Sequence, residues 1–297
     1  MLKFKKADIS DIKDLSEAFN SYKGKICDYS SGNVVFWREH YGISYHLDEN
    51  CLVLKYENMG ERECYSYPIS KEPEAAIREL LDLAGGELCL SCLTEEDLAK
   101  VRESFNVTDV IYSEDFDDYL YLAEDIVTLK GRKYNGQRNH INKFNRLYPD
   151  ARFEAITAEN AHIAKEFCEY YFKNIARETN VSATESKQLP EMFDNWESYL
   201  QYGGILIADG RAIGVSVGEI VNDTLIIHVE KADTAFEGVY PMLTNCFARE
   251  FADAKRCRFI NREEDCGEAG LRTSKKSYHP IEMIKKYAVV IKKESCS

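Results

Sequence analysis

The chain has 297 residues, enough for one large domain or two of ordinary size with a sizeable core. A net charge of −13 argues against a surface coated in nucleic-acid-binding charge, so no stable DNA binding is expected, although a local basic patch stays open. With no signal peptide and no apolar run long enough for a bilayer, the expectation is a cytoplasmic protein without a membrane span.

Asp8 to Tyr22 carries Ile9, Ile12, Leu15 and Phe19 on one side and predicts a helix. Val34 to Trp37 and Cys51 to Tyr56 predict strands, and Arg62 to Ile69 pairs back across Asn58-Met59-Gly60. Pro73 to Ala84 predicts a helix with Ile77, Leu80 and Leu81 inward and Gly85 past its end. Leu88 to Ser91 reads as a strand, Thr94-Glu-Glu-Asp97 opens a capping-box helix to Phe105, and Tyr119 to Leu122 is a further strand.

A second round follows. Ala151 to Ile156 predicts a strand, Thr157 caps a helix to Ala176, and another helix runs from about Pro190 to Leu200. Ile205 to Ala208 turns at Asp209-Gly210 into a strand from Arg211 to Ile220, since both central turn positions need positive φ. Asn222-Asp223 turns again into Thr224 to Glu230, β-branched and apolar on both faces, as suits a central strand. A loop from Lys231 to Gly238 leads to a helix striped with Val239, Met242, Leu243, Cys246, Phe247 and Phe251, with Pro241 in its first turn. Arg258 to Ile260, a polar loop and a final strand from Ala288 to Ile291 complete the chain. Hairpin, central strand, loop and amphipathic helix together resemble the middle of an N-acetyltransferase-type fold. There the central strand parts from its neighbour and the donor lies in the gap near the helix N-terminus. A generic α/β unit is the other reading. Both halves share this element order, so the expected fold class is α/β (α+β). Two tandem N-acetyltransferase-like domains, 1–125 and 126–297, would each hold a mixed, mostly antiparallel sheet flanked by helices. The second would carry the site.

The ten cysteines sit mostly in apolar patterns and read as reduced core residues. Cys89-Leu-Ser-Cys92 is an isolated C-x-x-C without further ligands at suitable spacing, so strand packing is expected there and no metal. Three polar constellations remain. Lys130 to Arg146 gathers Lys130, Arg132, Lys133, Arg138, Lys143 and Arg146 without an acidic residue, and Arg138 and Asn142 share a helix side. This is either an anion site for phosphate, carboxylate or tRNA, or a solvated helix face. Asn261 to Pro280 offers Arg262, Arg272 and Lys275 for anions, and Glu263 and Asp265 to hold them or to accept an amine. The bland alternative is a charged surface loop. Glu230, with His228 on the same strand face, is placed for desolvation that would suit a general base, unless a neighbouring cation satisfies it.

Three segments carry a family resemblance: Lys130 to Phe144, His228-Val-Glu-Lys-Ala-Asp233 with Gly238-Val-Tyr240, and Asn261 to Arg272 with Lys276-Ser-Tyr-His-Pro280. The chain resembles the bacterial proteins related to the C-terminal domain of phosphatidylglycerol lysyltransferase and, more distantly, the Fem-type aminoacyltransferases. The resemblance implies acyl or aminoacyl transfer, by direct attack of an acceptor amine on an activated ester or thioester. The donor would be a small molecule or an aminoacyl-tRNA. The candidate catalytic residues are Glu230, Glu263 and Tyr278. The candidate donor- or substrate-binding residues are Arg138, Asn142, Lys143, His228, Tyr240, Arg262, Asp265, Arg272 and Lys275. The alternative is a non-catalytic module binding a small anionic ligand or tRNA. No cofactor is expected. A CoA pyrophosphate loop of the form Gln/Arg-x-x-Gly-x-Gly/Ala would fall on Ala235 to Tyr240, where only Gly238 fits, so acetyl-CoA should bind poorly there.

Overall fold

The computed structural model describes residues 2–59, 62–177 and 179–293, and the hairpin turn expected at Gly60 lies outside them. The strands, in chain order, are β1 (Lys5–Lys6), β2 (Ile43–Leu47), β3 (Cys51–Met59), β4 (Arg62–Ser66), β5 (Ile69–Ser70), β6 (Glu87–Leu93), β7 (Asn106–Tyr112), β8 (Asp118–Leu122), β9 (Arg152–Ala155), β10 (Tyr202–Ala208), β11 (Arg211–Val221), β12 (Thr224–Ala232), β13 (Phe259–Asn261), β14 (Glu282–Ile284) and β15 (Tyr287–Lys292). Among the described residues they form an eight-stranded sheet, β1-β2-β3-β4-β6-β15-β7 with β5 beside β3, and a seven-stranded sheet, β14-β8-β13-β12-β11-β10-β9. Each is mixed: β4 with β6 and β12 with β13 run parallel among antiparallel neighbours. Helices flank both sheets, so the fold class is the expected α/β arrangement of two mixed sheets.

The chain divides into two compact units, one of residues 1–118, 264–269 and 283–297, the other of residues 119–263 and 270–282. This corrects the expected cut at 125 with everything later in one domain. The final strand, β15, is hydrogen-bonded between β6 and β7, so the first sheet is closed by the far end of the chain. Sequence order could not reveal this, because a strand's partner is chosen by tertiary pairing.

In the first unit, Val53, Leu90, Val289 and Ile291 present one sheet face to Ile77 and Leu80 of the Pro73–Leu83 helix and to Leu98 and Val101 of the Glu95–Ser104 helix. That second helix starts as its capping box predicts. Thr94 Oγ1 accepts from the Asp97 N–H at 3.1 Å, and the Asp97 carboxylate accepts from the Thr94 N–H at 3.1 Å. Val34 to Trp37 departs from expectation: Ser31–Phe36 is helical. Val34, Val35 and Phe36 are all buried there, so their apolar run carries no period that separates strand from helix.

In the second unit, the helix expected from Pro190 begins earlier and spans Asn180–Asp194 with Pro190 inside it. Thr179 and Ser182 form its capping box, and Leu189, Met192 and Phe193 are buried along it, which outweighs proline's preference for a helix start. The polar loop after β13 also contains a helix, Ala269–Lys276. The β12–β13 pairing ends at Ile226 opposite Asn261, whereas β12 continues to Ala232. The central strand therefore parts from its parallel neighbour. The Val239–Phe247 helix covers β12 at this end, with Val239 and Leu243 packed among Leu206, Ile213 and Ala232.

A fragment of residues 1–125 should fail to unfold cooperatively in urea, because it leaves β6 and β7 without the strand between them. A chain joining residues 1–118 to 283–297 should recover a sigmoidal transition by circular dichroism. Cooperative unfolding of the 1–125 fragment alone would contradict this assignment.

Candidate active site

Where β12 and β13 part, each strand sends two polar side chains toward the other: His228 and Glu230 from β12, and Arg262 and Glu263 from the chain leaving β13. Arg262 Nε and Nη2 donate to Glu230 Oε2 at 3.1 and 2.6 Å. Thr244, on the covering helix, donates from Oγ1 to Glu230 Oε1 at 2.6 Å. Both oxygens of Glu230 are thus engaged by a buried guanidinium and a hydroxyl, the neighbouring-cation case that the sequence had left open. The ring of Tyr278 lies 4.9 Å from the Arg262 guanidinium carbon. Burial, ahead of any charge, pushes the Tyr278 phenol up to about 12. Lys275 is buried, and its ammonium donates to the carbonyls of Arg262 and Glu263. It shapes the loop rather than waiting for an anion.

His228 Nδ1 is 2.7 Å from Glu263 Oε1, while Nε2 stands 3.5 Å from Glu219 Oε1 and makes no hydrogen bond. Gln201 Nε2 donates to the other oxygen of Glu219 at 3.3 Å. Burial alone disfavours a charged imidazole, but Glu219 and Glu263 outweigh it and lift the His228 pKa to about 9. The ring is therefore an imidazolium at neutral pH. Arg262 Nη1 and Ser216 Oγ are likewise buried without a hydrogen-bond partner, and Ser216 lies opposite Glu230 in the β11–β12 register. Buried polar groups are almost always partnered. Arg262 Nη1 and Ser216 Oγ thus lack partners near the end of this strand pair, while His228 Nε2 faces the Glu219 carboxylate as an ion pair.

The other sequence candidates separate from this cluster. Arg138 donates to the carbonyls of Leu129 and Gly131 and to Asn135 Oδ1, so its guanidinium fastens its own segment. Lys143 is paired with Glu237, and Lys133 with Asp125 at 3.1 Å. Asn142 is exposed on the Asn135–Leu147 helix. Lys130, Lys133 and Lys143 of the basic run are therefore paired with acidic side chains, and Arg138 is engaged by carbonyl and amide oxygens, none of which sequence spacing revealed. Tyr240 accepts the Ala232 N–H at 3.3 Å and tethers helix to strand, and burial raises its phenol. Arg272 is partly buried on the Ala269–Lys276 helix. Asp265 belongs to the first unit, where its carboxylate accepts the Gly267 N–H at 2.9 Å.

The helix N-terminus at Gly238 is occupied too. Gly238 has φ +82, and a Cβ there would meet the His140 carbonyl oxygen at 2.6 Å, so only glycine lets the Asn135–Leu147 helix approach. The Glu237 N–H donates to Tyr148 Oη at 3.3 Å and the Val239 N–H to the Phe236 carbonyl at 3.1 Å.

One group of possible metal ligands lies close together among the described residues, in the first unit: Cys27, Asp118 and Glu264. Lys286 Nζ sits amid them, 2.8 Å from Asp118, 3.1 Å from Glu264 and 3.0 Å from Asp28. An ammonium therefore already supplies the cation these carboxylates require. Sequence reasoning missed this group, as it missed Glu219, Thr244 and Ser216. Their residues come from separate segments and share no local spacing.

The parting strands, the covering helix and the mixed sheets are those of an N-acetyltransferase-like fold. The chain belongs to the family described as phosphatidylglycerol lysyltransferase, C-terminal, which matches residues 19–290. A conserved protein of unknown function from Bacteroides thetaiotaomicron is similar at 29% identity and TM-score 0.91, over 98% of this chain and 100% of that one. L-PGS from Bacillus licheniformis is similar in fold, with 14% identity and TM-score 0.67 over 98% and 95% of the two chains. FemX shares the fold at 8% identity and TM-score 0.61, over 97% of each. Among the described residues no helix is long and apolar enough to cross a membrane.

The His228 pair gives a pH signature. Its folded value, about 9, lies above the ordinary 6.5, so its contribution is complete below pH 6.5 and is lost as pH rises through 9. The expected loss is on the order of 3 kcal/mol, read from urea midpoints between pH 6 and 10. His228→Gln should flatten that part of the profile. An unchanged slope in the variant would show that another group titrates there.

Proposed function

We propose that the second unit transfers an acyl group, and more narrowly an aminoacyl group, from an activated ester to an amine acceptor. Membership of the lysyltransferase-related family supports the reaction class, and the folds of L-PGS and FemX are consistent with it. The observation that carries the reading is the pair of buried cations, His228 and Arg262, where β12 and β13 part, of which Arg262 keeps one nitrogen, Nη1, without a hydrogen bond.

Attack of an amine on an ester puts negative charge on the former carbonyl oxygen. Preorganised cationic donors in a water-poor site stabilise that charge more in the transition state than in the ground state. In this reading Arg262 Nη1 supplies the donor, and the His228 imidazolium, held between Glu219 and Glu263, adds positive charge to the site. Glu230 holds Arg262 in place, so the proton-accepting role expected of it passes to Glu263, whose side chain is 17% exposed against 12% for Glu230. The amine's proton goes to the Glu263 carboxylate, which returns it to the leaving oxygen as the C–O bond of the ester breaks. The donor best suited is an aminoacyl-tRNA or another activated ester. The hydrogen bonds already made by the Glu237 and Val239 N–H groups leave little at the Gly238 turn for a CoA pyrophosphate.

The test follows loss of labelled amino acid from a pool of aminoacyl-tRNAs, with and without amine acceptors. Acceptor-dependent release above the spontaneous rate is expected. His228→Gln should lower the turnover number about 10²-fold or more with little change in donor affinity. Donor binding without acceptor-dependent release would leave a binding module instead. Calorimetric titration with acetyl-CoA should give no micromolar binding, and such binding abolished by Gly238→Val would overturn the donor assignment.

A further inference from the structure

The isolated C-x-x-C does not pair with itself. Cys92 departs from regular strand geometry with φ 58 and turns its sulfur toward Tyr56 Oη and Ser91 Oγ, each 3.8 Å away. Cys89 instead meets a cysteine from the neighbouring strand. β4 and β6 run parallel with Tyr65 opposite Leu90 and Ser66 opposite Ser91, which brings Cys64 level with Cys89. Tyr65 and Leu90 enter the apolar core, so the two cysteines share the opposite sheet face. Cys64 Sγ donates to Cys89 Sγ at 2.6 Å.

We infer that Cys64 and Cys89 are a dithiol that closes reversibly to a disulfide when the protein meets hydrogen peroxide. The geometry needs no backbone movement, because adjacent strands in register already hold the sulfurs in contact. The hydrogen bond from Cys64 comes first in holding the Cys89 thiol below its ordinary value, with the Arg62 charge helping against burial. Cys89 is thus the attacking sulfur. Cys64 and Cys89 are buried, and Arg62 and Glu63, next to Cys64 in the chain, are exposed. Cys89 sulfur attacks one peroxide oxygen, the O–O bond breaks, and a sulfenic acid and one water result. Cys64 sulfur then displaces the sulfenic oxygen as a second water. Two thiols lose two electrons and two protons, and peroxide takes up both. The closed loop, residues 64–89, carries β5 and the Pro73–Leu83 helix, so oxidation constrains the unfolded chain across a core-forming segment.

Native protein is treated with hydrogen peroxide, alkylated, digested with trypsin without reduction and mapped by tandem mass spectrometry. Exposed Cys266 serves as the internal measure of dose. The expected product joins the peptide of Glu63 to Lys71 with that of Glu79 to Lys100 through Cys89, two hydrogens lighter than the separate thiols. The melting temperature should rise, and dithiothreitol should reverse the rise. Cys64→Ser and Cys89→Ser should each lose it. Free thiols at both positions once Cys266 is fully modified, a Cys89–Cys92 link, or a rise that persists in Cys64→Ser would each overturn the assignment. The mapping needs only the wild-type protein, so it decides the matter even where a variant fails to fold.

Discussion

The second unit depends on the ion pair between Arg262 and Glu230. A parallel pair of strands that separates gives up its ladder of backbone hydrogen bonds, and whatever spans the opening must replace that cohesion. Here a guanidinium on one strand's exit grips a carboxylate on the other, and Thr244 from the covering helix completes the carboxylate. With side chains 5% and 12% exposed, neither partner can be left alone without a large desolvation cost. The opening and the charges that bridge it are therefore one device. The same geometry that binds Glu230 leaves one guanidinium nitrogen unused.

His228 extends the device. A buried imidazole would ordinarily be neutral, yet two carboxylates, Glu219 and Glu263, hold it charged. The cluster alternates cation and anion from Glu219 through His228 to Glu263, and from Arg262 to Glu230. Lys275 fixes the backbone from which Arg262 and Glu263 project. Such an arrangement is costly to assemble and rigid once made. The first unit obeys the same rule with different residues, surrounding Lys286 with Asp28, Asp118 and Glu264.

In this acidic chain the densest run of basic residues is not where the buried cations of the second unit lie. The Lys130 to Arg146 run contributes Phe144, Tyr134 and Gln137 to buried positions, and it spends Arg138 on carbonyls and Lys143 on Glu237. His228 and Arg262 sit instead against carboxylates in a mostly apolar sheet, and Arg262 keeps one nitrogen without a hydrogen bond. Desolvation, more than charge density, distinguishes them.

The sequence by itself determined the elements with strong local physics. Thr94 and Asp97 cap a helix because side chain and backbone three residues apart complete each other's hydrogen bonds. Thr224 to Glu230 is central because its apolar residues fit burial on both faces, and the Val239 stripe forces one helix face inward. The resemblance in three segments likewise led to the correct family. Segments without a decisive period were not legible. Val34 to Phe36 is apolar at every position, and Ala269 to Lys276 has too little apolar surface to announce a helix. Only the tertiary structure placed β15 in the first sheet, gave Glu230 its arginine and joined His228 to Glu219 and Glu263. These contacts join residues far apart in the chain, and strand pairing and ion pairing depend on distance in space, which no local spacing records.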